Sequence, residues 1–428
     1  MKITSILFLA TVALSAQNQS PDRLMNALQD RALAQQAMRL KTDERITMYQ
    51  TIVKAQPEVL HYQVLLASAY LQKMRETTDF GYVDRASKIL EAVLAADNDN
   101  YEALRLRTEV ALERHEFPKA ADYSRQLTKI APNDPWNWGT LADALTEWGD
   151  YDGAADAMQK MINLRPDLSS YNRAAHYRFL FNDVPGAVDL MKRAIESGSP
   201  SSENVAWCMV ELGGYYLKTG QVDQAERTYT AASRTFPGFH PAYAGLGKAQ
   251  MAKGDYKAAI ASFTRAQSIT PMPDYAAALQ QLYKLTGDEK SASRQSAMID
   301  AIDTLSKANG EKANRNLAMI FLDQDRKLDR GLELAKGELE FRRDVYTYDT
   351  LAWALYKNKH YDEAAEAIGK ALKLGTPEPM FYFHAGMIET ALGKKDEAAA
   401  HLRHALALNP KFDIHEASMA EEVLKGAE

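Results

Sequence analysis

The sequence predicts an all-α fold, an α-solenoid of antiparallel helix pairs wound into a right-handed superhelix of about 9–11 units. Three observations carry this. Small residues recur with a spacing of 34 along most of the chain. Turn punctuation, Gly149-Asp150, Gly220 and Gly254-Asp255, splits units into two amphipathic helices. Composition is that of a folded, water-soluble chain: 46% apolar, 25% charged and 9% aromatic residues, with a mean hydropathy of −0.39. That excludes a mostly disordered chain, a fibrous one and a polytopic membrane protein. At about 150 residues per domain, 428 residues would make two or three domains. The repeat makes them one array instead.

The first element is an address. Lys2 precedes the short apolar run Ile3 to Leu14, and Ala13 and Ser15 stand in A-x-A-like spacing, with Ala16 offering a second cut. The run is too short to span a bilayer as a helix. We expect residues 1–16 to be a cleaved signal peptide and the mature protein to be exported, periplasmic or extracellular. Residues 17–41 are expected to form an N-terminal helical segment.

The array follows, over 42–412. An alanine is followed seven residues later by a small or apolar residue, and twelve later by proline or a turn former. Ala120, Leu127 and Pro132 fit this pattern, as do Ala154, Met161 and Pro166. So do Ala225, Ala232 and Pro237, then Ala259, Ala266 and Pro271, then Ala398, Ala405 and Pro410. Ala86, Ala187 and Ala364 anchor weaker members. In the unit anchored at Ala259, the helical pattern of 240–253 carries Tyr243, Leu246 and Gly247. Gly254-Asp255 interrupts it, and a second helix ends before Pro271. Gly213, Gly247 and the anchor alanines are expected to be small because the partner helix crosses there. Tyr229 and Phe263 are expected to fill the space between units.

At these residues the chain resembles the tetratricopeptide repeat proteins, of the exported bacterial type. The unit anchored at Ala225 shows Leu212-Gly213, Tyr216, Gly220, Tyr229 and Ala232, and the one at Ala154 shows Trp138, Leu141, Ala142, Gly149 and Tyr151. Two stretches depart from the pattern. Units near Ala292 and Gly331 are degenerate, and extra residues fall around 75–82. Residues 413–428 read as a capping helix, with Ala417, Ala420 and Val423-Leu424 inward and Glu421, Glu422 and Lys425 outward.

No catalytic constellation stands out, and the repeats leave no room for a catalytic domain, so no enzyme and no cofactor is expected. There is no H-E-x-x-H, G-x-S-x-G or P-loop. The single cysteine, Cys208, excludes an intramolecular disulfide framework and cysteine-built metal sites; it reads as a buried thiol. His401 and His404 are three apart, enough for two metal ligands, but read as a solvated pair. With 51 basic against 57 acidic residues, there is no cationic surplus for nucleic acid.

The resemblance implies a concave groove lined by the first helix of each pair. Counting 18, 15, 11 and 8 residues back from each anchor gives two candidate partner-binding patches. One holds Asn172, His176, Phe179 and Trp207, with Trp136, Asp143 and Thr146 beside it. The other holds Tyr346, Trp353, Tyr356, Met380, Phe383 and Met387. Aromatics and methionine surplus to the repeat's packing suit a partner site. The expected function is a non-catalytic scaffold that binds a protein or peptide segment in the groove, without membrane insertion. The alternatives are a carbohydrate or small-ligand receptor and an accessory subunit of an envelope or transport complex. Aromatics interleaved with Asn, Asp and Arg would favour the sugar.

Overall fold

The computed structural model describes residue 33, residue 37 and residues 40–427, apart from 78, 80, 309 and 310. The signal peptide and most of the 17–41 segment lie outside the described residues. Among those described, 22 α-helices follow one another and no strand occurs. They run α1 (Thr42–Ala55), α2 (Leu60–Thr77), α3 (Gly81–Ala96), α4 (Tyr101–Glu113), α5 (Phe117–Ile130), α6 (Pro135–Trp148) and α7 (Tyr151–Leu164). Next come α8 (Leu168–Leu180), α9 (Val184–Ser197), α10 (Glu203–Lys218), α11 (Val222–Thr235), α12 (His240–Ala252), α13 (Tyr256–Ile269) and α14 (Pro273–Leu285). The last are α15 (Glu289–Ala308), α16 (Arg315–Asp323), α17 (Leu328–Glu338), α18 (Val345–Lys357), α19 (Tyr361–Ala371), α20 (Pro379–Ala391), α21 (Lys395–Leu408) and α22 (Glu416–Ala427).

The fold is an α-solenoid of helix pairs, α2 with α3 through α20 with α21. The anchor alanines open the second helix of their pairs, and all eight are buried. Helix starts are set by short polar side chains. Asp134, Asp150, Asp167, Asp183, Ser202, Asp255 and Asp344 each accept a bond from an otherwise orphaned backbone N–H two or three residues ahead. Small residues sit where the rings need room. A Cβ on Gly213 would come within 2.6 Å of the Tyr229 ring. Gly245 of the next pair meets the same ring from the other side. One tyrosine therefore locks two successive units together.

The departures from the repeat resolve into helix length. Extra residues around 75 extend α2 to 18 residues. In the degenerate region α15 grows to 20 residues, while α16 shrinks to nine. Helix pairing continues through both. Backbone contacts divide the chain into two compact units, residues 1–110 and 111–428. In the first, Tyr49, Leu66, Tyr70, Leu71, Val83, Leu90 and Val93 form the core between α1, α2 and α3.

In the second unit the chain returns to touch itself. The Tyr151 hydroxyl accepts from Val345 N at 3.1 Å. Thr376 Oγ1 donates to the Leu180 carbonyl at 2.7 Å. Asn409 Nδ2 donates to the Leu217 carbonyl at 2.8 Å. The separations are 194, 196 and 192 residues. Beside the first of these, Arg343 N donates to the Glu147 carbonyl at 2.9 Å, so three connections of the C-terminal repeats dock on the carbonyl-terminal ends of α6, α8 and α10. Gly149, at φ 81°, belongs to the first of these contacts. A Cβ there would lie 2.5 Å from the Arg343 carbonyl oxygen, so the close approach requires glycine as well as the positive φ.

Candidate functional site

The first helices α6, α8 and α10 stand side by side and bound a cleft of about 580 Å³. Asp143, Thr146 and Glu147 come from α6; Leu168, Ser169, Asn172, Arg173 and His176 from α8; Asn204, Trp207 and Glu211 from α10. Phe117 and Met158 close the remaining walls. Each helix contributes side chains three or four positions apart, which is why they share one face. Of the expected groove residues, the structure brings together Asp143, Thr146, Asn172, His176 and Trp207. Trp207 is 41% exposed, one of few large apolar side chains in that state.

Charge in the cleft is partly satisfied. Arg173 donates to both oxygens of Asp143, at 2.8 and 2.7 Å, a bidentate pair between α8 and α6. Glu147 is not so matched. Its Oε2 is buried without a hydrogen-bond partner, and the nearest guanidinium nitrogen, Nε of Arg342, stands 3.5 Å away. Burial, reinforced by the Asp344 charge, pushes the Glu147 carboxyl up to about 7 against the pull of Arg342 and Arg315. Burial also raises Glu211 above the usual carboxylate range. His176 goes the other way, to about 4, through burial first and the Lys218 charge second, so it is neutral at pH 7. Buried Cys208 approaches the Asn172 amide at 4.0 Å, and burial pushes its thiol up to about 11.

The rest of the expected groove is filled by the chain itself. Phe179 is buried and stacks on Tyr215 with 4.3 Å between ring centroids. Beyond it Lys218 bridges to the far repeats. Its Nζ lies 2.7 Å from Glu378 and donates to the Tyr346 hydroxyl at 3.1 Å. The expectation that the second patch stands free in the groove is corrected here. Trp353 is 2% exposed and Phe383 fully buried, and Met387 is buried too. Trp353 is sandwiched between Tyr356 and His384, at 4.8 and 4.2 Å, and donates from Nε1 to Asp323. Phe383 packs on Phe412, in the connection leading to α22. Tyr346, Tyr356 and Met380 are half-buried. The physical reason is that α22 and its leading connection cover this face, with Ala420 in the same core cluster. The expectation that Phe179 lines an open groove is corrected for a different reason: it stacks on Tyr215 in the core shared by α8 and α10.

Counting back 18, 15, 11 and 8 residues missed Glu147, Arg173 and Glu211, which stand at 7 and 14. The two stripes are neighbouring ridges of one helix face, so reading both would have found them. His401 and His404 do not converge on a site: His401 pairs with Glu389 at 2.8 Å and His404 packs edge-on to Tyr382. Among the described residues no three metal-ligating side chains stand close enough together to hold an ion. No described helix is long and apolar enough to cross a membrane.

Two models described as tetratricopeptide repeat match residues 216–282 and 350–411. The model of the ChAPs, Chs5p-Arf1p-binding proteins, matches residues 1–182. The chain is similar to superkiller complex protein 3 of Homo sapiens, 31% identical over 156 residues, and to that of Mus musculus, 25% identical over 247 residues. These matches take in 35% and 47% of the chain but only 10% and 16% of the relatives' own length. Among solved structures, the APC/C hetero-tetramer Cut9-Hcn1 aligns with a TM-score of 0.49 at 18% identity, covering 91% of this chain and 67% of that one. With the 34-residue period, the paired helices and the buried anchor alanines, the matched repeat models make the chain a member of the tetratricopeptide repeat proteins.

Proposed function

We propose that the protein is a non-catalytic scaffold that binds a segment of another protein in the cleft between α6, α8 and α10, and that it works outside the cytoplasm, in the cell envelope. The observation that carries the reading is the open cleft with Trp207 exposed inside it, on an array whose other groove aromatics are already packed. An exposed aromatic in a preformed recess loses little freedom on binding, which is what makes such side chains anchors. Membership of a repeat family built for protein interaction supports it, as does likeness to proteins named as subunits of a complex. The basic start and apolar run of residues 2–14 support export.

A second reading rests on Asn172, Asn204, Asp143 and Arg173 around Trp207, a mixture that also suits a sugar ring. The protein reading is favoured because Asp143 and Arg173 satisfy each other. The test is a photoreactive side chain placed at Asn172 of the full chain, or at Lys192 on α9 as control, irradiated in the native extract. The expected result is a defined protein adduct from position 172 alone. Equal labelling from both positions, or none from 172, contradicts the proposal. Export is checked by sequencing the amino terminus of the protein from its host; a retained Met1 counts against it.

A further inference from the structure

Resting on that reading, we infer that the cleft selects a segment carrying a basic side chain, arginine above lysine, seated between the Trp207 indole and the carboxylates of Glu147 and Glu211. Three carboxyl groups line the cleft against one guanidinium, and that guanidinium is spent on Asp143. His176 adds no charge at pH 7. The carboxyl excess falls on Glu147 and Glu211, whose carboxyls burial raises, so that a cation seated beside them would draw out their charge. Two cations face Glu211, Lys218 and Lys248, but among the described residues neither forms a hydrogen bond or ion pair with it, and Lys218 is engaged by Glu378. Glu147 Oε2 is buried without a hydrogen bond, its ion-pair partner Arg342 standing 3.5 Å away. A buried carboxylate without a hydrogen-bonded partner is costly, and a ligand that supplies the partner recovers that cost.

Trp207 and Glu211 are four residues apart on α10, so indole and carboxylate stack on one face. Tryptophan is the best ring for a cation. A planar guanidinium can lie flat on the indole while its edge donates to a carboxylate, and an ammonium cannot do both. An acidic or phosphorylated segment would meet two more negative charges in a recess and is excluded by the same charge argument.

The test uses the full chain and a hexapeptide library with one fixed position carrying each residue in turn, including citrulline and norleucine as neutral matches. Binding is read from the fluorescence or shift of Trp207. The expected result is at least a tenfold preference for arginine over citrulline, with lysine between, and loss of that preference in the doubly substituted Glu147→Gln, Glu211→Gln chain while neutral peptides still bind. Arg173→Met serves as a second variant, because it frees Asp143 and should increase selection for cations. Peptides that bind without regard to charge, or a preference that survives the double substitution, overturn the inference and leave the scaffold reading intact. If no peptide perturbs Trp207 and a neutral oligosaccharide does, both fail.

Discussion

Single residues decide two features of this chain. Tyr229 is clamped between Gly213 and Gly245, so the ring has nowhere to move when either glycine gains a methyl group. Alanine is a better helix former than glycine by roughly 1 kcal/mol, but overpacking a core costs about 1–3 kcal/mol. Gly213→Ala is therefore expected to destabilise the protein, read as a lowered urea midpoint; an unchanged or raised midpoint would mean the ring is free to shift. Glu147 gives a pH signature. Facing it are Asp344, Arg342 and Arg315 from the C-terminal repeats and Asp143 from its own helix, with Glu338 pairing Arg342 and Arg173 pairing Asp143. Its folded carboxyl titrates at about 7, above the ordinary 4.5. Between those values the unfolded chain gives up the proton and the folded chain keeps it, so this group's contribution to stability falls as pH rises through the window. Glu147→Gln should flatten that slope, measured as the change in unfolding midpoint between pH 5 and pH 7.

At the scale of elements, the repeat was legible because it is written in backbone-critical positions. Anchor alanines and helix-breaking glycines mark where helices cross and end, and these obey local rules. Part of the candidate site was legible for the same reason, since Asp143, Thr146, Asn172, His176 and Trp207 fall on a face set by helical spacing, whereas Glu147, Arg173 and Glu211 stand on the neighbouring ridge. The C-terminal patch was not. Trp353 and Phe383 occupy groove positions in sequence, but their burial depends on α22 and the connection before it, which the period does not describe. Their packing gives an opposite expectation to that of a binding patch. Trp353→Ala removes a ring held by two stacking partners and a hydrogen bond to Asp323, and should cost about 3–5 kcal/mol with loss of the cooperative melt of α16–α22. Partner capture through α6, α8 and α10 should persist at temperatures where the variant is folded.

At the scale of the second unit, the solenoid is braced by contacts between five and six repeats apart, which no local pattern encodes. Lys218 is the ionic centre of that brace. Burial alone would lower its pKa, yet the Glu378 carboxylate and the Tyr346 hydroxyl more than offset this and hold the ammonium charged. Lys218→Met leaves Glu378, only 11% exposed, without its cation. The expected loss is about 2 kcal/mol, below the usual range for a broken buried pair because Lys218 itself keeps some solvent. Faster amide exchange at 345, 347 and 378 should accompany it. If exchange there is unaltered, the brace is carried by Tyr151, Thr376 and Asn409 without the ion pair.

The brace also explains why one cleft stays open. Connections from the C-terminal repeats occupy the carbonyl ends of α8 and α10, and the cleft lies toward their amino ends, against the carbonyl end of α6. The most direct test is fluorine resonance of the full chain with each of its five tryptophans replaced by 5-fluorotryptophan, titrated with the captured partner or an arginine-bearing hexapeptide. The resonance of Trp207 should shift saturably while that of Trp353 stays fixed. A shift at Trp353 with Trp207 silent would contradict the account.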